Sequence, residues 1–120
     1  MLFRSWTFGP YLIKDSIIRD DSPGGNRFTN WFEPRVAIGM IEPLHYIFIV
    51  ADGRYKVNGH ELSGMSLQQL AQIFREQGCK VGYNLDGGGS STLIFNNKRL
   101  NKVNESGKER EISDCIVIMP

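Results

Sequence analysis

The chain has 120 residues, 41% apolar and 22% charged, with a formal net charge of +1, which leaves room for one modest domain around one core. A nearly neutral chain with no basic block and no interleaving of arginines with aromatics lacks the footprint of a nucleic-acid binder. No apolar run approaches the roughly 20 residues of a membrane span, and Arg4 and Asp15 frame no continuous apolar stretch of signal-peptide type.

Residues 6–18 alternate poorly and contain Gly9-Pro10, so only short strands are predicted there, at 11–13 and 17–19. Residues 20–30 read as a loop joining two parts of one domain, because Ser22-Pro23-Gly24-Gly25-Asn26 breaks any regular element. The stretches 36–41 and 46–51 are rich in β-branched and aromatic residues and are separated by Glu42-Pro43-Leu44-His45, the mark of a hairpin. His45 falls in that connection and His60 follows the turn Asn58-Gly59; with no second ligand type spaced nearby, neither is read as a catalyst or a metal ligand, and no metal site is predicted.

A helix is predicted over 66–77. Ser66 is its N-cap with Gln69 completing a capping box; Leu67, Leu70, Ala71, Ile73 and Phe74 form the apolar face, and Gly78 suits the position after the helix. Residues 79–85 form a strand-like stretch, residues 92–95 a second one that stops at the two-residue turn Asn96-Asn97, and residues 112–119 a final strand. The expected fold is therefore α+β, a β-rich mixed sheet with one clear helix. Cys79 and Cys115 fall on separate predicted strands, and their spacing fits no zinc pattern. Two small buried residues or a disulfide both suit them, since a bridge depends on a Cα separation that sequence does not give.

Between the strands at 79–85 and 92–95 lies Asn84-Leu85-Asp86-Gly87-Gly88-Gly89-Ser90-Ser91-Thr92. Glycine adopts φ > 0 without steric cost and admits other groups close to the backbone, so Gly87, Gly88, Gly89, Ser90 and Ser91 can present several N–H groups to one anion or sugar, with Asp86 at the edge. A flexible connection is the plain alternative. No Lys follows the glycines as in a P-loop, and Thr92 stands where a nucleophile elbow needs glycine. Three polar clusters stand at strand ends: Arg35, then Asp52-Gly53-Arg54, then Glu109-Arg110-Glu111. Each alone is ordinary loop chemistry. If Arg35, Arg54 and Arg110 converge near the glycine loop, they form an anion site flanked by Asp52 and Asp86.

Taken in order, Pro34-Arg35-Val36-Ala37-Ile38-Gly39, Ala51-Asp52-Gly53-Arg54, the helix from Ser66, the glycine run and Glu109-Arg110-Glu111-Ile112-Ser113-Asp114 resemble the successive motifs of the phosphodiester glycosidase family. Phe8-Gly9-Pro10-Tyr11-Leu12 is similar to the segment before the family's arginine motif. The resemblance implies hydrolysis of a sugar 1-phosphodiester, of the N-acetylglucosamine 1-phosphodiester type, at its glycosidic bond. Such cleavage commonly uses two carboxyl groups, here Asp52 and Asp86 in undivided roles, while Arg35, Arg54, Arg110 and the loop amides stabilise the departing phosphate. Both aspartates also suit Asp-Gly turn caps paired with the arginines.

The resemblance covers the C-terminal part of the family's domain, with nothing before Trp6 to supply the Asn-Gly-Gly-Phe-Phe type motif of its N-terminal half. A homo-oligomer or an N-terminal partner segment would then complete the sheet. The partner expected is a sugar phosphodiester, free or on a glycoconjugate. A secreted or lumenal location is implied only by the family, and no cofactor is named by the sequence. A non-catalytic carbohydrate- or phosphate-binding domain and an incomplete domain are the alternatives to the enzyme.

Overall fold

Backbone pairing in the large sheet follows the apolar stretches before and after the helix. The computed structural model describes residues 9–19 and 31–119. Within them the chain forms β1 (Tyr11–Lys14), β2 (Ile17–Ile18), β3 (Arg35–Glu42), β4 (His45–Ala51), β5 (Tyr55–Val57), β6 (His60–Leu62), the helix α1 (Leu67–Glu76), β7 (Val81–Asn84), β8 (Ile94–Phe95) and β9 (Lys98–Arg99). The expected loop over 20–30 lies outside the described residues.

Five strands make one sheet in the order β2-β1-β7-β3-β4, while β5-β6 and β8-β9 are separate hairpins. Each pairing in the large sheet is antiparallel, rather than mixed, and the α+β class with one helix is as expected. Strand β7 lies between β1 and β3, its register running from Ala37↔Asn84 to Met40↔Val81. The glycine run that follows β7 therefore leaves the middle of the sheet and not its edge.

Helix α1 packs on one face of this sheet. Its start is the predicted capping box: Ser66 Oγ accepts from the Gln69 N–H at 3.2 Å, and the Ser66 N–H donates to Gln69 Oε1 at 3.0 Å. Its end is closed by Gly78 at φ +77°, which lets the N–H groups of Gly78 and Cys79 reach the carbonyls of Arg75 and Phe74 at 3.0 and 2.9 Å. Leu67, Leu70, Ala71 and Phe74 meet Leu12, Ile13, Ala37 and Cys79 in the core.

Phe74 is fully buried on the backbone of Gly39 and Gly82, which face each other on β3 and β7. A Cβ on either glycine would come within 2.7–2.8 Å of the ring. The glycines are thus a floor for the aromatic ring, and burial of that side chain is worth roughly 2–3 kcal/mol.

The strand expected over 112–119 does not form. Its apolar residues have strand propensity, but among the described residues no strand pairs with them, and Ile112, Ile116, Val117, Ile118 and Met119 remain exposed. Propensity without a hydrogen-bonding partner does not make a strand. Conversely, Asn58-Gly59, read only as a turn, closes the β5-β6 hairpin with both residues at positive φ. Cys79 and Cys115 are free thiols, the first buried and the second exposed.

Candidate active site

Strands β4 and β7 flank β3 and both run antiparallel to it, so their ends emerge where β3 begins. Arg35 opens β3 opposite Ala51, and Asp52 follows Ala51. On the other side the Leu85 N–H donates to the Val36 carbonyl at 2.8 Å, which carries the register one residue past β7 and sets Asp86 level with Arg35. With strands about 4.8 Å apart, the backbones bearing Asp52 and Asp86 stand roughly 10 Å from each other at the same end of the sheet.

The glycine loop folds back onto the start of β3. A Cβ on Gly87 would lie 2.7 Å from the Pro34 carbonyl oxygen, and Gly88 has φ +59° with its N–H donating to that same oxygen at 2.7 Å. Residues Gly88–Ser90 then form one tight 3₁₀ turn. This corrects one expectation: the N–H groups of Gly88, Ser90 and Ser91 are spent on the carbonyls of Pro34, Gly87 and Gly88. Those of Gly87 and Gly89 have no partner among the described residues.

Arg110 and Arg54 border this loop. The Arg110 N–H donates to the Gly89 carbonyl and its Nε to Ser90 Oγ, both at 2.8 Å, while its Nη2 pairs with Asp86 Oδ2. Arg110 thus reaches the loop without the strand predicted to follow it. Arg54 lies 3.9 Å from the point a Gly88 Cβ would occupy, and its Nη2 pairs with Glu33 Oε2.

Arg35 sits differently. Its Nε donates to the Met65 carbonyl at 3.0 Å and its Nη2 to the Trp31 carbonyl at 2.8 Å, so it straps backbone segments together. Burial lowers its pKa from the ordinary arginine value; Glu33 opposes that shift and Arg54 adds to it. Three charged groups therefore share one corner.

Asp52 is held at both oxygens. Oδ1 accepts from the Lys102 N–H at 3.1 Å, and Oδ2 accepts from the Tyr55 hydroxyl. That donation, with burial and the charge of Asp52, raises the Tyr55 pKa. The Lys102 ammonium stands 4.7 Å from the Tyr55 ring centre, a cation–π contact. Among the described residues, no three His, Cys, Asp or Glu side chains gather as a metal set.

Four residues here escaped the sequence reading: Glu33, Tyr55, Asn101 and Lys102. Glu33 stands two before Arg35, on the same side of an extended chain, and that spacing is a usable signal. Asn101 has none. It is buried, accepts from the Leu93 N–H and donates to the Ser91 carbonyl, each at 2.7 Å, and so pins the far end of the glycine loop.

The chain has counterparts among known proteins. The family model described as phosphodiester glycosidase matches residues 3–119. The chain is 32% identical over 119 residues to the SPbeta prophage-derived uncharacterized protein YomE of Bacillus subtilis (strain 168), covering 95% of this chain and 17% of that one. It is 34% identical over 71 residues to the N-acetylglucosamine-1-phosphodiester alpha-N-acetylglucosaminidase of Mus musculus, covering 59% of this chain and 13% of the mouse protein. Among solved structures, a Synechocystis protein aligns at a TM-score of 0.60 with 28% identity over 79% of this chain and 17% of its own. The zebrafish N-acetylglucosamine-1-phosphodiester alpha-N-acetylglucosaminidase catalytic domain, auto-inhibited by its pro-peptide, aligns at 0.58 with 25% identity over 74% of this chain and 31% of its own. The chain thus spans less than a fifth of the length of these curated relatives. With the family model matching residues 3–119, nearly the whole of this sequence, the chain belongs to the phosphodiester glycosidase family.

Proposed function

We propose that the chain is the part of a phosphodiester glycosidase domain that grips phosphate and hydrolyses a sugar 1-phosphodiester, of the N-acetylglucosamine type, at its glycosidic bond. One observation carries this reading: Arg54 and Arg110 border the same glycine loop from two distant points of the chain, beside the unengaged N–H groups of Gly87 and Gly89. Two guanidinium groups and two amide donors around a loop with no side chains are matched to a phosphate.

The chemistry follows from the leaving group. Cleavage breaks the bond between the anomeric carbon and the phosphate oxygen, and water supplies the new hydroxyl on the sugar. The phosphate leaves as a monoester whose second pKa is about 6, so near neutral pH it departs without a strong general acid. Arg54 and Arg110 stabilise the charge that develops on it. Of the two carboxylates, one takes the proton of the attacking water or attacks carbon itself, and the other offsets the oxocarbenium charge. Asp52 and Asp86 are assigned these roles as a pair.

The test is a titration of the folded chain with dimethyl phosphate, followed by NMR. The amide signals of Gly87 and Gly89 should shift saturably, and an unmoved pair would remove the phosphate half of the reading. A non-catalytic binding domain is the second reading, favoured by both aspartates being already hydrogen-bonded. It predicts binding that survives Asp86→Asn, with no turnover before or after the change.

A further inference from the structure

Arg54 is half-exposed, its side chain 50% accessible, whereas its partner Glu33 is 23% accessible. The cation therefore faces outward over Gly88 with the carboxylate behind it. Arg110 repeats the pattern with Asp86, at 59% and 38%. Counting Arg35 and Asp52, the corner holds three guanidinium groups and three carboxylates, and their formal charges cancel. Two pairs stand further out, Arg99 with Glu109 and Lys102 with Glu105.

Among the described residues, the site has directional donors for phosphate oxygens and no surplus of positive charge. A diester carries one negative charge and a monoester two above pH 6. Bare arginines would favour the dianion by Coulomb attraction; with Arg54 paired to Glu33 and Arg110 to Asp86, that advantage shrinks while the hydrogen bonds remain. Asp86 and Asp52 belong to the reacting machinery proposed above. Glu33 is the carboxylate left over, and its charge reaches Arg35 as well as Arg54.

We infer that Glu33 is a specificity-determining residue: it lies behind Arg54 as a fixed counter-charge and makes the site prefer a phosphodiester monoanion over a phosphomonoester dianion. This rests on the phosphate-gripping function proposed above. Its consequence for the reaction is direct, because the substrate is the monoanion and the phosphorylated product is the dianion. The same counter-charge that admits the diester speeds the departure of the monoester.

The experiment uses methyl phosphate and dimethyl phosphate at pH 8, neither of which has a glycosidic bond to cleave, with affinities read from the Gly87 and Gly89 amide shifts. The wild-type chain should bind methyl phosphate no more tightly than dimethyl phosphate. Glu33→Gln should tighten methyl phosphate about fivefold relative to dimethyl phosphate, as expected for one charge a few ångströms away. Glu33→Asp should restore the wild-type ratio, and Arg54→Gln should move it the opposite way. A ratio unchanged in Glu33→Gln overturns the inference and, where both probes still bind saturably, leaves the phosphate site standing. If the wild-type chain binds neither probe, the phosphate-gripping function fails and the inference with it.

Discussion

Asp86 and Arg110, twenty-four residues apart in sequence, form an ion pair beside the glycine loop. The same guanidinium bonds Ser90 Oγ through Nε, so one side chain fixes both ends of the run from Asp86 to Ser90. An exposed pair of this kind adds little to stability, in the range of about 0–1 kcal/mol. Its value lies in orientation.

Arg110→Lys keeps the charge but loses the planar fork that reaches Asp86 and Ser90 together. The expected result is a fall of about 100-fold in kcat/KM for the sugar phosphodiester with the melting temperature nearly unchanged. Steady-state kinetics and a thermal melt on the same preparation check both halves.

Gly82→Ala sets a methyl group 2.8 Å from the Phe74 ring, and the ring is walled in on its other side by Gly39. Overpacking of this kind costs about 1–3 kcal/mol, measured by urea unfolding. Combining it with Phe74→Leu should cost less than the sum of the two single changes, because the smaller side chain vacates the contested space.

Asn101→Ala leaves the Leu93 N–H and the Ser91 carbonyl without their side-chain partner. The expected cost is about 1–3 kcal/mol. Hydrogen exchange adds a local reading: the Leu93 amide should lose protection while the amides of α1 keep theirs.

The two thiols should differ in reactivity and in pH response. Cys115 is exposed and should react first with a thiol reagent at pH 7, whereas Cys79 is buried and burial raises its pKa. A raised folded pKa means that the contribution of Cys79 is fully present below its unfolded value of about 8.5 and is lost as pH climbs from there towards the folded value. Stability measured by urea should therefore decline above pH 8.5, and Cys79→Ala should flatten that decline. Labelled residues identified by mass spectrometry give the order of reaction.

What was legible in the sequence was local. The capping box of Ser66 and Gln69, the Gly78 stop and the Asn96-Asn97 turn each need only a few neighbouring residues, and each formed as expected. Arg54 and Asp86 stand far apart in the sequence, and the antiparallel order β7-β3-β4 brings the chain segments that carry them to one end of the sheet. The strand over 112–119 failed because strand formation depends on a partner, which no local pattern contains. Sequence alone groups Arg35 with the phosphate donors, yet two of its donors hold backbone carbonyls. Asn101 was missed because a buried asparagine looks like any other polar residue after a hairpin until the chain is folded.

The most direct measurement is release of free sugar from an N-acetylglucosamine 1-phosphodiester by the folded chain and by folded Asp86→Asn. The proposed hydrolysis requires turnover by the wild-type chain that falls at least about 100-fold in the variant. Equal release by both, or none from a folded wild-type chain, would contradict it.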